Sequence, residues 1–167
     1  MSILTINGSS SIDGANSKLL DSLEFTFPLL SFESCNILDL PLFTIALDKN
    51  PLPPEVINYR SQVAMADAVI ISTPVYIHNI PAVLKSALEW LTTSGELVGK
   101  KVLAITYTPH PPRGEKAMSS LLQSLKALDT NVVTSLALYQ NEMNLKDGKI
   151  KEGDQLEMLS FAIDLLK

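Results

Sequence analysis

The run Ala68-Val-Ile-Ile-Ser-Thr73 constrains this chain more than any other segment. It is short, rich in β-branched residues and apolar on both faces. A strand of that kind fits the centre of a parallel sheet covered by helices on both sides. Similar short runs recur along the chain. Ile3 to Ile6 stop at Asn7-Gly8, and Phe32 to Leu38, Val102 to Tyr107 and Val132 to Leu138 read as three further strands.

Helical segments separate the runs. They are expected from about Asn16 to Leu23, Pro54 to Ala66, Pro81 to Leu91 and Glu115 to Leu128, with a last one beginning near Asp154. Pro54 suits a helix start, where the missing N–H costs nothing. Asp154 and Glu157 have the spacing of a capping-box-like start. Asp39-Leu-Pro-Leu-Phe43 and Asn50-Pro-Leu-Pro-Pro54 read as irregular, because proline removes a backbone donor and restricts the residue before it. Asp147-Gly148 is a two-residue turn signal for a small hairpin.

Strands alternating with helices imply a parallel sheet with right-handed crossovers. The expectation is α/β: a flavodoxin-like, doubly wound, five-stranded sheet in the order 2-1-3-4-5, with helices on both faces. The 167 residues suit one domain, 1–167, with no repeat, low-complexity tract or linker to divide it. A chain of this size hides roughly 68–70% of the surface it exposes when unfolded.

Composition then excludes several classes. With 46% hydrophobic and 19% charged residues, the chain is not disordered. A net charge of −5 argues against a nucleic-acid partner. No apolar run approaches the ~20 residues that span a bilayer, so no membrane partner is expected. The start, MSILTINGSS, has no basic stretch or signal-type apolar core, which points to a cytoplasmic protein. One cysteine, Cys35, permits no internal disulfide and argues against a thiolate zinc site. Two histidines argue against a histidine-rich metal site. No metal ligand is expected.

Ligands of such sheets bind outside the carboxyl ends of the strands, where the strand order reverses. That places the loops 8–15, 74–79 and 108–114 around one crevice. The first loop, Gly8-Ser-Ser-Ser-Ile-Asp-Gly-Ala-Asn16, leads into a helix N-terminus that favours an anion. Ser9, Ser10, Ser11 and the Asn16 amide add neutral donors suited to a phosphate. The same loop also reads as an ordinary turn with a helix cap, and Asp13 opposes a phosphate unless it faces solvent. Neither G-x-G-x-x-G nor G-x-x-x-x-G-K-[ST] is present. In the second loop, Thr73-Pro-Val-Tyr-Ile-His-Asn-Ile-Pro81, backbone groups and Tyr76 could flank a flat heterocycle. Alternatively, Tyr76 and Ile80 pack against neighbouring loops.

Gly8-Ser-x-x-x-x-x-x-Asn16, Leu40-Pro-Leu-Phe43 and Thr73-Pro-Val-Tyr76…Pro81-x-x-Leu84-Lys85-x-x-Leu88-x-Trp90 together resemble the NADPH-dependent FMN reductase family. This group also includes quinone, chromate and azo-dye reductases. The resemblance spans roughly the first 115 residues, and the Thr73–Trp90 stretch is its most specific part. It implies that Ser9, Ser11, Gly14, Ala15 and Asn16 surround the FMN phosphate. It implies that Pro74, Val75, Tyr76 and Ile77 lie along the isoalloxazine ring, and that Thr108, Pro109 and His110 lie near its pyrimidine edge. Many members carry Arg at the position of Ser11, Ser at Gly14 and Glu at Val75, and a Gly-rich third loop in place of Pro109-His-Pro-Pro112. A missing Arg removes a bidentate charged contact to the phosphate.

The function so implied is an FMN-dependent NAD(P)H oxidoreductase that passes hydride from NADPH or NADH to FMN and on to a quinone, free flavin or similar small-molecule acceptor. An FMN-binding electron carrier without turnover is the alternative. No catalytic side chain is assigned. A hydrolase reading lacks the G-x-S-x-G elbow. His78 and His110 read as solvated loop histidines, with a place near the flavin or second substrate as the alternative, and Cys35 as a buried inert thiol. Arg113 and Lys116 are either solvated charges or attractors for the extra phosphate of NADPH. On the Pro81–Leu91 helix, Leu84, Ala87, Leu88 and Leu91 form a stripe flanked by Val83 and Trp90. That arc is wider than one sheet contact needs. It suggests a homodimer or tetramer through this helix, or else burial within the same chain.

Overall fold

The Ala68–Thr73 run is β3, the middle strand of a five-stranded parallel sheet, and all six of its residues are buried. Its neighbours are β1 (Ser2–Asn7) and β4 (Lys101–Thr108). β2 (Ser31–Cys35) and β5 (Asn131–Tyr139) form the edges, so the order is β2-β1-β3-β4-β5, as expected. A computed structural model describes residues 1–49 and 51–167; Asn50, the first residue of the Asn50–Pro54 segment, lies outside them.

Alternation along each strand divides the core into two layers. Leu4, Ile6, Val69, Ile71, Val102 and Ala104 face α2 (Pro54–Met65), α3 (Ala82–Glu89) and α4 (Glu115–Ala127). Ile3, Ala68, Ile70, Leu103, Ile105 and Leu138 face α1 (Ala15–Thr26) and α5 (Asp154–Asp164). Successive β3 residues thus belong to opposite layers, which is why that strand carries no exposed polar face. Cys35 is buried, and burial pushes its thiol pKa up to about 12, in keeping with an inert thiol.

Several boundaries differ from expectation for local reasons. β2 stops at Cys35 rather than Leu38, because the Asn36 side chain takes over the backbone. Asn36 Oδ1 accepts the Leu38 N–H at 3.0 Å, and Asn36 Nδ2 donates to Asp39 Oδ2 at 2.8 Å. α1 runs three residues past Leu23. Thr26 Oγ1 donates to the Ser22 carbonyl at 2.6 Å and accepts the Ile150 N–H at 3.1 Å. Ile150 belongs to the expected hairpin, formed by β6 (Leu145–Lys146) and β7 (Lys149–Ile150). Asp154 is not a capping residue: Gly153 precedes the helix, Asp154 is its first residue, and no side chain caps it.

The wide apolar arc of α3 is buried by its own chain. Trp90 has no exposed surface, stacks edge-on against Phe43 with ring centroids 5.1 Å apart, and donates its indole N–H to the Pro41 carbonyl at 2.7 Å. The Phe43 N–H donates to Ser86 Oγ at 2.9 Å. What remains outward on α3 is Ala82, Lys85 and parts of Val83 and Glu89, with a 3.6 Å ion pair between Lys85 and Glu89. Apart from half-buried Val83, the apolar width of this helix therefore reflects the sheet beneath it and the β2–α2 loop folded over it.

Candidate functional site

The first strand-end loop is held against β3 by a close backbone approach. The Gly8 N–H donates to the Ser72 carbonyl at 2.8 Å, and a Cβ on Gly8 would lie 2.7 Å from Leu84 Cδ2. A side chain there would push Leu84 aside and crowd the Ser72 carbonyl oxygen, 3.1 Å from the same Cβ. Asn7 Oδ1 then accepts the Ser9 N–H at 3.0 Å, and Ser9 Oγ accepts the Ser11 N–H at 3.1 Å. The loop is thereby shaped before any ligand arrives. α1 begins after Gly14 with no side-chain cap and no acidic residue in its first turn. Its leading N–H groups therefore retain their capacity to bind an anion. Asp13 is exposed and lies outside the cavity described below.

Asn16 does something the sequence did not suggest. Its side chain is turned into the protein and 4% exposed. Asn16 Oδ1 accepts from Ser72 Oγ at 2.7 Å, and Nδ2 donates to the Tyr107 carbonyl at 3.3 Å. Asn16 thus ties the start of α1 to β3 and β4. Its amide contributes to the anion site mainly by positioning the helix, with one N–H left over.

The second loop makes a two-residue hairpin. Tyr76 and Asn79 exchange two backbone hydrogen bonds of 3.0 Å, and the turn residues Ile77 and His78 adopt φ of 49° and 59°. Left-handed backbone at a β-branched residue is unusual. The third loop is closed by Thr108, whose Oγ1 donates to the Arg113 carbonyl at 3.2 Å and whose own carbonyl accepts the Gln140 N–H at 2.9 Å. Gly114 follows with φ 115°, over Thr106.

These three loops enclose a cavity of about 510 Å³ at the carboxyl ends of β1, β3 and β4. Of the expected site residues, Ser9, Ser11, Gly14, Ala15, Asn16, Pro74, Val75, Tyr76, Thr108 and Pro109 line it. Ile77 and His110 do not. Ile77 projects from the hairpin with 97% exposure and lines an adjoining cavity instead. His110 is exposed, its Nδ1 3.0 Å from the Pro111 carbonyl, and it lines neither cavity. Three further residues line the first cavity: Tyr107, Arg113 and Gln140. Their common signal was topological, since all lie at or beyond the carboxyl ends of β4 and β5. Arg113 is the single charged residue among the lining set, so the cavity carries a cation and no carboxylate. Burial raises the Tyr107 pKa above its ordinary value.

A larger groove of about 580 Å³ runs along α4 and β5, but it holds no residue of the three strand-end loops. Among the described residues there is no metal-ligating cluster, and no helix is long and apolar enough to cross a membrane.

The model of the NADPH-dependent FMN reductase family matches residues 1–143. The chain is 36% identical over 126 residues to the NADH:(hydroxy)cinnamate reductase subunit CrdA of Vibrio ruber, covering 75% of this chain and 62% of that one. It thus spans less than two-thirds of that relative's length. It is 29% identical to the quinone reductase of Escherichia coli, covering 75% of this chain and 70% of that one. Among solved structures, the flavoenzyme NAD(P)H:(acceptor) oxidoreductase FerB of Paracoccus denitrificans superposes with a TM-score of 0.80 at 21% identity, covering 99% of this chain and 94% of that one. At that identity the likeness speaks for the fold.

Proposed function

The chain belongs to the NADPH-dependent FMN reductase family, and from that premise we propose that it is an FMN-dependent NAD(P)H oxidoreductase serving a small-molecule acceptor such as a quinone or free flavin. One observation carries the reading: an uncapped helix start, a hydroxyl-bearing loop and a lone arginine share a cavity that no carboxylate lines. That donor set fits a phosphate monoester and fits no cationic ligand. The cavity volume falls within the roughly 300–1,000 Å³ usual for small-molecule sites. The names of the Vibrio ruber and Escherichia coli relatives point the same way.

In this reading, the Ser11 hydroxyl and the first N–H groups of α1 hold the phosphate. Ser9 keeps the loop in shape through its bond from Ser11 N–H. Pro74, Val75 and Tyr76 flank the ring, and Thr108, Pro109 and Gln140 bound the far side. Arg113 supplies the positive charge that the first loop lacks. When bound, the flavin provides the redox chemistry between NAD(P)H and the acceptor, while the protein supplies position and electrostatics. No side-chain nucleophile, acid or base is assigned.

The proposal extends to one domain working in the cytoplasm and to a homodimer. Support for assembly comes from Leu42, Ile45 and Ile57, exposed at 71%, 78% and 54% on the β2–α2 loop and adjoining α2.

The test is a fluorescence titration of the flavin-free protein with FMN and with riboflavin. FMN should bind at least tenfold more tightly, and equal affinities would remove the phosphate assignment. Steady-state NAD(P)H oxidation with a quinone then separates an enzyme from a carrier.

A further inference from the structure

β5 is an edge of the sheet, paired with β4 alone, and its 9 residues, Asn131-Val-Val-Thr-Ser-Leu-Ala-Leu-Tyr139, include no charge and no proline. Proteins usually guard a long edge strand with lysine, proline, a bulge or a covering segment, because its unpaired backbone groups recruit another strand. The opposite edge, β2, is 5 residues long and carries Glu33. The irregularity in the β4–β5 register falls opposite Val102 and Leu103, near the start of β5. At the other end, the Gln140 N–H donates to the Thr108 carbonyl of β4, while the Tyr139 N–H, turned the other way, is taken by Gln155 Oε1 at 3.2 Å. Backbone alternation then directs the Ala137 and Ser135 N–H groups away from β4 as well, with no strand among the described residues to receive them. Both residues are exposed. The groove of about 580 Å³ runs along this strand. Its α4 wall is one helical stripe, Glu115, Met118, Leu122 and Lys126, whose spacing puts all four on the same face. Met118 and Leu122 are half-buried in the middle. The two charges stand at opposite ends, neither in an ion pair with another described residue. Ser135 and Ala137 add little bulk to the groove.

We propose that β5 and α4 dock on the same elements of a second copy of this chain, with the two β5 strands pairing antiparallel across a twofold axis. Such an axis runs one α4 antiparallel to the other. An acid at one end of the stripe, a base at the other and two apolar residues between them are complementary to the same stripe reversed, as a twofold contact requires. Glu115 of each copy then faces Lys126 of the other, and Met118 and Leu122 of both fill the groove. β5 and β2 are opposite edges of the sheet, so this face is separate from the β2–α2 loop, and it stands independently of the flavin reading. Main-chain bonds and one groove place it among the smaller, transient contacts.

The experiment uses the full-length chain carrying Leu42→Glu, which silences the loop face. To it are added Ser135→Lys, Lys126→Glu, Glu115→Lys or the exchange Glu115→Lys/Lys126→Glu. All four positions are exposed, and circular dichroism verifies that each variant is folded. Sedimentation equilibrium is followed from about 5 to 500 µM, the range in which a weak contact associates. Over it the Leu42→Glu chain should pass from monomer to dimer, and the wild type, with both faces in use, should grow beyond the dimer only at the upper end. Ser135→Lys should abolish the contact, because it sets two lysines together between the paired strands. Each single charge reversal places like charges against each other twice and should raise the dissociation constant about tenfold. The exchange restores both pairs and should return the constant to within about threefold of its starting value. Both native charges also favour the dipole of α4, so the exchange should lower Tm while restoring association, which a role in helix stability alone would not do. Amide hydrogen exchange across 131–139 should slow with concentration in the Leu42→Glu chain and not after Ser135→Lys. A Leu42→Glu chain that stays monomeric to the top of the range would overturn the inference. So would a dimer that tolerates Ser135→Lys, or one whose charge reversals are not rescued by the exchange.

Discussion

The indole N–H of Trp90 donates to the carbonyl of Pro41 at 2.7 Å, joining positions 49 residues apart in sequence. That bond seals the β2–α2 loop over α3 and makes Trp90 an internal residue. Trp90→Glu should therefore leave the chain unfolded rather than monomeric, since a buried unpaired charge is strongly unfavourable. Trp90→Phe should keep the fold but strand the Pro41 carbonyl, at a cost of about 1–3 kcal/mol. Circular dichroism melts check both. A folded, stable Trp90→Glu protein would contradict this packing.

Assembly is tested on the outer side of the same loop. Leu42→Glu and Ile45→Glu change residues that are largely exposed in the single chain. Both variants should melt near the wild-type temperature. If this face joins two copies, sedimentation velocity should show dimers for the wild type and monomers for the variants.

Arg60 and Asp48 hold the far end of that loop. Arg60 Nη2 lies 2.9 Å from Asp48 Oδ1, and Arg60 also donates to the Trp90 carbonyl at 2.9 and 2.6 Å through Nε and Nη2. The Thr93 hydroxyl, 2.6 Å from Asp48 Oδ2, and then Arg60 hold the Asp48 carboxyl below its ordinary pKa, against the opposing pull of burial. A carboxylate with a lowered folded pKa adds stability above its unfolded pKa, about 3.9, and loses it as pH falls through the folded value. Asp48→Asn should thus be less stable than wild type at pH 7, and the gap should narrow below about pH 4. Arg60→Ala should cost about 1–3 kcal/mol, because it removes the donor that the half-buried Asp48 carboxylate shares with the Trp90 carbonyl.

Asn16 and Ser11 should separate stability from binding. Asn16→Ala strands Ser72 Oγ and the Tyr107 carbonyl and should lower the stability of the flavin-free protein by about 2 kcal/mol. Ser11 is exposed. Ser11→Ala should weaken FMN several-fold while leaving the flavin-free melting temperature unchanged. Thermal melts and fluorescence titration on the same samples read both quantities. Equal effects of Asn16→Ala on FMN and riboflavin would match its inward orientation.

The Ile77–His78 turn is a place to gain stability. Two-residue hairpins with both residues at positive φ favour Asn-Gly. Replacing Ile77 with Asn and His78 with Gly should stabilise the flavin-free protein by about 1–2 kcal/mol, a rise of roughly 2–8 °C in Tm. A drop in Tm would mean that the turn is not strained as its dihedrals indicate.

The chain's own sequence determined the sheet. β3 was readable to the residue because a strand buried on both faces must be apolar throughout, and that requirement is local. The hairpin at Asp147-Gly148 was readable for the same reason, since turn geometry depends on adjacent residues. The identity of the three loops followed from strand order, and ten of the twelve expected site residues line one cavity. Tertiary structure decided the rest. The β2–α2 loop covers α3 through Trp90 and Pro41. Asn16 turns inward to reach a carbonyl 91 residues away. Arg113 comes to border both cavities, and Gln140 joins the first from beyond β5. Each depends on which distant segments the packed sheet brings within hydrogen-bond or van der Waals reach. Neither periodicity nor propensity encodes that proximity, because both describe only a residue's relation to its near neighbours in the chain.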